Sequence, residues 1–220
     1  MMYNIRISCK SEVFMQKVNY QILTDKITDE LVRTGSRPRL LLHACCAPCA
    51  SYVLEYLTEF FKIDVYFYNP NILPGEEYEK RFGELRRLIE IMPRKGEITL
   101  IEGEYEPQVY LEKIHGLENE PEGGSRCSVC LDMRVDKTAE IAAEGGYDYF
   151  ATTLTVSPHK NAQLLNTLGY AAAEKYGTTW LPSDFKKRGG YLRSTEICRG
   201  YDIYRQNYCG CTPQSENTEE

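Results

Sequence analysis

Two hydrophobic periods alternate along the chain: short unbroken apolar runs, and longer stretches with apolar residues three and four apart. RLLLHA (39–44) has the length and continuity of a strand buried on both faces. IDVYFYNP (63–70), EITLIEGEY (97–105) and YDYFATTL (147–154) read as three further strands. Helical spacing fills the intervals: residues 51–61, then YEKRFGELRRLIEIMP (78–93), which Pro93 closes. LDMRVDKTAEIAAEGG (131–146), with a Gly-Gly end, and NAQLLNTLGYAAAEKYG (161–177) complete the set. This alternation predicts an α/β fold, a parallel sheet with helices on both faces. Ahead of it, NYQILTDKITDELVRTG places Ile22, Leu23, Ile27 and Leu31 at helical spacing and stops at Gly35. Residues 1–37 are therefore expected to form an N-terminal helical extension packed on the outside of a single domain spanning 38–211. The polar, acidic TPQSENTEE (212–220) is expected to be a flexible tail. No internal repeat interrupts the pattern.

In a sheet of this kind ligands bind beyond the carboxyl ends of the strands. HACCAPCA (43–50) begins where the first strand ends, and TTLTVSPHK (152–160) where the fourth ends, so both are expected to open on the same edge. Composition then changes the picture, because nine of 220 residues are cysteine. The first residues hold no continuous apolar segment of the kind that directs secretion, and no apolar run approaches the ~18 residues of a membrane span. A cytoplasmic location with no membrane partner is expected. Structural disulfides are rare there, so metal binding or redox chemistry is the expected use of the thiols. A net charge of −6 argues against a nucleic-acid partner unless a local basic patch exists.

Spacing refines the thiol chemistry. SRCSVC (125–130) presents Cys127 and Cys130 as C-x-x-C leading into a helix, where the positive end of the dipole favours thiolates. With Cys45 and Cys46 they make four candidate soft ligands from two loops on one sheet edge. Directly adjacent cysteines are expected to reach two irons of a cubane more easily than one tetrahedral ion, which favours [4Fe–4S] over zinc. The plain alternative is that Cys45 and Cys46 are small buried residues at a strand end. Cys49, one helical turn beyond Cys45, is open to three uses: a cluster ligand, a ligand for a separate ion, or part of a pocket wall. Cys209 and Cys211 flank only Gly210, and a disulfide across one glycine makes a small, easily reduced ring. They are expected to be a redox pair, with extra metal ligation as the alternative. Cys9 and Cys198 stand alone and are expected to be structural.

The motifs LLHACCAPCA, YNPNILPGEEYEKR, RCSVCLDMR, ATTLTVSPHKN, DFKKRGGY and YRQNYCGC, spread from Arg39 to Cys211, together resemble the epoxyqueuosine reductases of the QueH type. The resemblance implies a fold related to PP-loop and adenine-nucleotide hydrolase-like domains, with the metal site at the carboxyl edge of the sheet. It implies a [4Fe–4S] cluster and reduction of an epoxide on a modified guanosine at the tRNA wobble position, the last step of queuosine synthesis. The cluster ligands of the family fall on Cys45, Cys46, Cys127 and Cys130, and its redox-active disulfide on Cys209 and Cys211. Some members carry Asp where this chain has Cys49, so one additional iron at that position would here need a thiolate.

The basic patch required of a tRNA-binding protein is present in FKKRGGYLRSTEICRGYDIYR (185–205). Six basic residues there face two acidic ones, a local +4, with Tyr191, Tyr201 and Tyr204 interleaved. Phosphate neutralisation combined with stacking holds unpaired bases in this way. The expected substrate contacts are Lys160, Lys186, Lys187, Tyr191 and Arg205. Converting an epoxide to an alkene takes two electrons and two protons, so an external electron donor is implied, with Cys209 and Cys211 as a second store. His159, Asp184 and Tyr208 are candidate proton donors, His159 first because the unperturbed pKa of histidine is nearest neutrality. Two other classes compete. A PP-loop tRNA sulfur-transfer enzyme needs a glycine-serine-rich phosphate loop where this chain has HACCAPCA. A non-catalytic zinc protein that binds RNA would contain zinc without iron.

Overall fold

The computed structural model describes residues 18–211. Cys9 and the 212–220 tail lie outside them. Helix α1 (Tyr20–Thr34) ends on Gly35 at φ 65°, and strand β1 (Arg39–His43) follows. Helix α2 (Ala47–Leu57), β2 (Lys62–Phe67), α3 (Gly75–Ile91) and β3 (Ile98–Glu102) continue the alternation. Next come α4 (Pro107–Lys113), α5 (Ser125–Glu144), β4 (Tyr149–Thr152), α6 (Ala162–Tyr176) and α7 (Gly190–Gly200).

The four strands form one parallel sheet in the order β3-β2-β1-β4. Leu40, Leu41 and Leu42 of β1 have no exposed surface, as the unbroken apolar run required. Alternation along that strand splits the core in two. Leu40 and Leu42 pack with α1, α2, α3 and α7, whereas Leu41 joins Tyr66, Tyr68 and Phe150 against α5 and α6. Helices therefore cover both faces. The chain steps outward from β1 through β2 to β3 and then returns to β4 on the opposite side of β1. That reversal opens a crevice beyond the carboxyl ends of β1 and β4, where open α/β sheets bind ligands.

Two helix starts differ from expectation in a way that matters for the site. α2 begins at Ala47 instead of residue 51, because Pro48 sits in the first turn, where its missing N–H costs nothing. α5 begins at Ser125 instead of residue 131, so Cys127 and Cys130 lie inside its first turns. Among the described residues no helix is long and apolar enough to cross a membrane.

Candidate metal centre and substrate cavity

The bend at Cys45 and the extended backbone of Cys46, which caps α2, turn both side chains to one side. Their sulfurs are 3.6 Å apart, and with Cys49 they form a group in which all three sulfurs lie within 4.8 Å. A tetrahedral thiolate site with Zn–S bonds near 2.3 Å has S···S edges of about 3.8 Å. The adjacency of Cys45 and Cys46 thus does not keep them from one ion, contrary to the expectation from sequence, because the bend cancels the alternation of an extended chain. The three thiols behave as one acid. Donation from Cys45 and Cys49 holds Cys46 well below the ordinary thiol range, and burial works against this without overcoming it. Cys45, as donor to Cys46, is pushed up to about 12, and Cys49 rises likewise as donor to Cys45 and Cys46.

Cys127 and Cys130 line an adjoining niche together with Cys209 and Cys211. Cys209 also lines the main cavity, about 480 Å³ in volume, which Cys45, Cys46 and Cys49 bound. The structure therefore gathers seven of the nine cysteines around two connected spaces at the predicted edge. Cys198 is buried elsewhere, on α7. Donation from Cys211 lowers Cys209 well below the ordinary thiol range, and Lys160, with its Nζ 3.7 Å from the sulfur, reinforces the effect.

Two arginines that were not singled out from the sequence stand between these thiols. Arg134, 3 % exposed, donates to the Cys130 carbonyl and to Asn69 Oδ1, and among the described residues no carboxylate pairs with it. Burial opposes its charge, yet Cys130, Cys209, Cys45 and Cys211 more than offset that. Arg81, equally buried, pairs with Glu77 at 2.6 Å and lines the cavity. Arg134 could have been found from its register, four and seven residues after the two cysteines on one helical face. His43 beneath the site is neutral: burial brings its pKa down to about 3. Its Nε2–H donates to the Tyr68 carbonyl, and Nδ1 accepts a hydrogen bond from the Thr152 hydroxyl.

The donor set fits a thiophilic, anionic metal group. Thiolate sulfur is the preferred ligand of iron–sulfur clusters and of zinc. The two buried guanidiniums supply compensating charge. Two donors at the niche, Tyr110 Oη and Arg126 Nε, are buried and have no partner among the described residues.

The remaining expected site residues separate into two groups. His159, Lys160, Tyr191, Arg205 and Tyr208 all border the cavity. Lys160 is only 12 % exposed, held between Glu122 at 2.9 Å and Cys209, so it faces a thiol more than a surface phosphate. The Arg205 guanidinium lies 5.2 Å from the centre of the Tyr191 ring, itself 40 % exposed. Asp184 and Lys186 pair with each other at 2.5 Å and do not border the cavity. Lys187 is exposed on the surface nearby. Much of the basic stretch is locally neutralised, since Arg188 pairs with Asp25 and Arg193 with Glu55.

The family described as epoxyqueuosine reductase QueH matches residues 40–217. The chain is similar to proteins of that name from Streptococcus pyogenes serotype M1 (49 % identity over 198 residues, 89 % of this chain and 78 % of the relative) and Staphylococcus epidermidis (48 % over 200 residues, 89 % and 84 %). A relative of the same name from Thermotoga maritima is 34 % identical over 178 residues, 78 % of this chain and 88 % of its own length.

Proposed function

The chain belongs to the epoxyqueuosine reductase QueH family, and from that premise we propose that it reduces the epoxide of epoxyqueuosine at the tRNA wobble position to give queuosine. It is an oxidoreductase of tRNA processing. The observation that carries the reading is the meeting of three cysteine-bearing segments, 45–49, 127–130 and 209–211, around the buried Arg134.

Cys45, Cys46, Cys127 and Cys130 are the proposed ligands of a [4Fe–4S] cluster, with Cys49 placed to hold one additional iron. The sheet order, with its site at the carboxyl edge, supports kinship with PP-loop domains, thiols replacing the phosphate loop. When bound, the cluster supplies electrons one at a time and an iron that polarises the epoxide oxygen. Cys209 and Cys211, as a dithiol, hold the two electrons the reaction consumes and become a disulfide. Cys209 is the member of the pair held as the readily oxidised thiolate, with donation from Cys211 and the charge of Lys160 favouring that form. His159 and Tyr208 border the cavity and are the proposed sources of the two protons that leave with oxygen as water. The Tyr191 ring, with Arg205 over it, is the proposed platform for the flipped base, and Lys187 a proposed phosphate contact. Cytoplasmic tRNA is the partner, and an external reductant restores the dithiol.

A single ion on Cys45, Cys46 and Cys49 is the second reading, favoured by the 3.6 Å sulfur separation. Anaerobic purification with metal and sulfide quantification decides between them. The cluster predicts about four irons and four sulfides per chain, and about five irons where Cys49 holds the additional one; zinc in a colourless protein would remove it.

A further inference from the structure

The C-terminal segment 201–211 forms neither helix nor strand, yet it delivers Cys209 and Cys211 to the cavity. We propose that one face of α3 is the dock that fixes this segment, and that Arg81 is the positioning residue which sets the Cys209–Gly210–Cys211 loop against the thiol-lined cavity.

The face is defined by register. Glu77, Lys80, Arg81, Glu84 and Arg87 recur at three- and four-residue intervals and so share one side of the helix. Each meets the segment. Arg87 donates to the Tyr201 carbonyl at 3.1 Å and also to that of Asp202. Glu84 accepts from the Tyr204 N–H at 2.9 Å, and the Lys80 ammonium sits 3.5 Å from the Tyr204 ring centre. Arg81 donates to the Cys209 carbonyl at 2.9 Å and to the Tyr208 carbonyl at 3.4 Å. A chain without its own ladder of hydrogen bonds thus finds backbone partners on the side chains of a helix.

The loop itself is gripped from two directions. Leu73 N–H donates to the Gly210 carbonyl at 2.8 Å. On the other side a Cβ at Gly210 would lie 3.0–3.2 Å from the Arg81 guanidinium, and the residue holds φ at +92°. Both facts call for glycine between the two cysteines. Arg81 is 3 % exposed, lines the cavity, and has its charge supported by Glu77 and by the sulfur of Cys46. One guanidinium therefore holds the dithiol loop by its backbone and borders the same cavity as the 45–49 thiols.

The docking rests on geometry, and its consequence for turnover rests on the reading of Cys209 and Cys211 as an electron store. Hydrogen exchange and iodoacetamide labelling of the reduced, metal-free chain measure the docking without turnover. Arg81→Met should raise exchange of the Leu73 amide, which the docked Gly210 carbonyl protects, and labelling of Cys209 roughly ten-fold, the scale of one lost charge-assisted hydrogen bond. Exchange in β1 and β4 should stay as in the wild type, and Arg81→Lys should recover part of the protection. Unchanged exchange at Leu73 and unchanged labelling of Cys209 would overturn the proposal. Should Arg81→Met fail to fold with Glu77 left unpaired, Gly210→Ala disturbs the same contact from the loop side. Local loosening there supports the dock, and wild-type protection overturns it. Thiol counts in oxidised and reduced glutathione test the other reading separately: no difference of two thiols in the wild type removes the electron store and leaves the docking result standing.

Discussion

Arg134 carries its charge into the interior with thiols for company. A buried cation is costly unless paired, so its balance depends on whether those thiols are ionised. Metal loading deprotonates the ligands and gives Arg134 its counter-charge. Arg134→Met should therefore leave the metal-free protein as stable as the wild type or more so, while lowering the melting temperature of the loaded form. Equal losses in both forms would mean that the arginine serves only packing. The cysteines divide in the same way by single substitutions. Cys127→Ala should abolish iron retention, whereas Cys209→Ser should keep the iron and the visible spectrum but lose turnover with a chemical reductant. A serine variant that loses iron in proportion to activity would make Cys209 a ligand instead. The thiols were legible in the sequence because cysteine density and C-x-x-C spacing are local signals. Arg81 was not singled out and Lys160 was read only as a phosphate contact, since their contacts with Cys209 lie 128 and 49 residues away along the chain.

At the scale of elements, the four strands and the helices between them followed from period alone, because β1, β2 and β4 are largely buried and the more exposed edge strand β3 still carries a short apolar run. What escaped were α4 and α7 and the true starts of α2 and α5. Residues 190–200 read as a basic, aromatic surface, and the helix there rests on Ile197, Cys198 and Ser194 packing inward, a narrow apolar stripe. The cysteine-rich starts of α2 and α5 look like loops until Pro48 is recognised as a first-turn residue. Another contact was equally hidden. A Cβ on Gly169 of α6 would come within 2.2 Å of the Trp180 ring, whose Nε1 donates to Asn166 Oδ1 at 3.0 Å. Gly169→Ala should lower stability in urea by roughly 1–3 kcal/mol through overpacking, even though alanine favours the helix by up to about 1 kcal/mol. A raised midpoint would show that the tryptophan yields.

Across the whole molecule, the net charge is −6, and the pairing of Lys186, Arg188 and Arg193 leaves Lys187, Arg199 and Arg205 as the cations of 185–205 with no carboxylate partner among the described residues. Lys187 is the clean test: Lys187→Glu should flatten the logarithmic salt dependence of tRNA binding by about one charge. Metal content should not change, and an unaltered salt slope would move the RNA surface elsewhere. Lys186→Glu is less informative because it would also set two carboxylates together at Asp184. The distance along the chain between the parts of the centre has a consequence in time. The 45–49 thiols emerge early from the ribosome, and the residues that wall them in, at 205–209, emerge after all the strands and helices described above. During translation the early thiols are thus exposed without Arg134, Lys160 or the dithiol loop. A centre that draws on all three segments would be complete only once synthesis is nearly over, and a chain halted before residue 205 would carry the 45–49 thiols with no chamber to contain them.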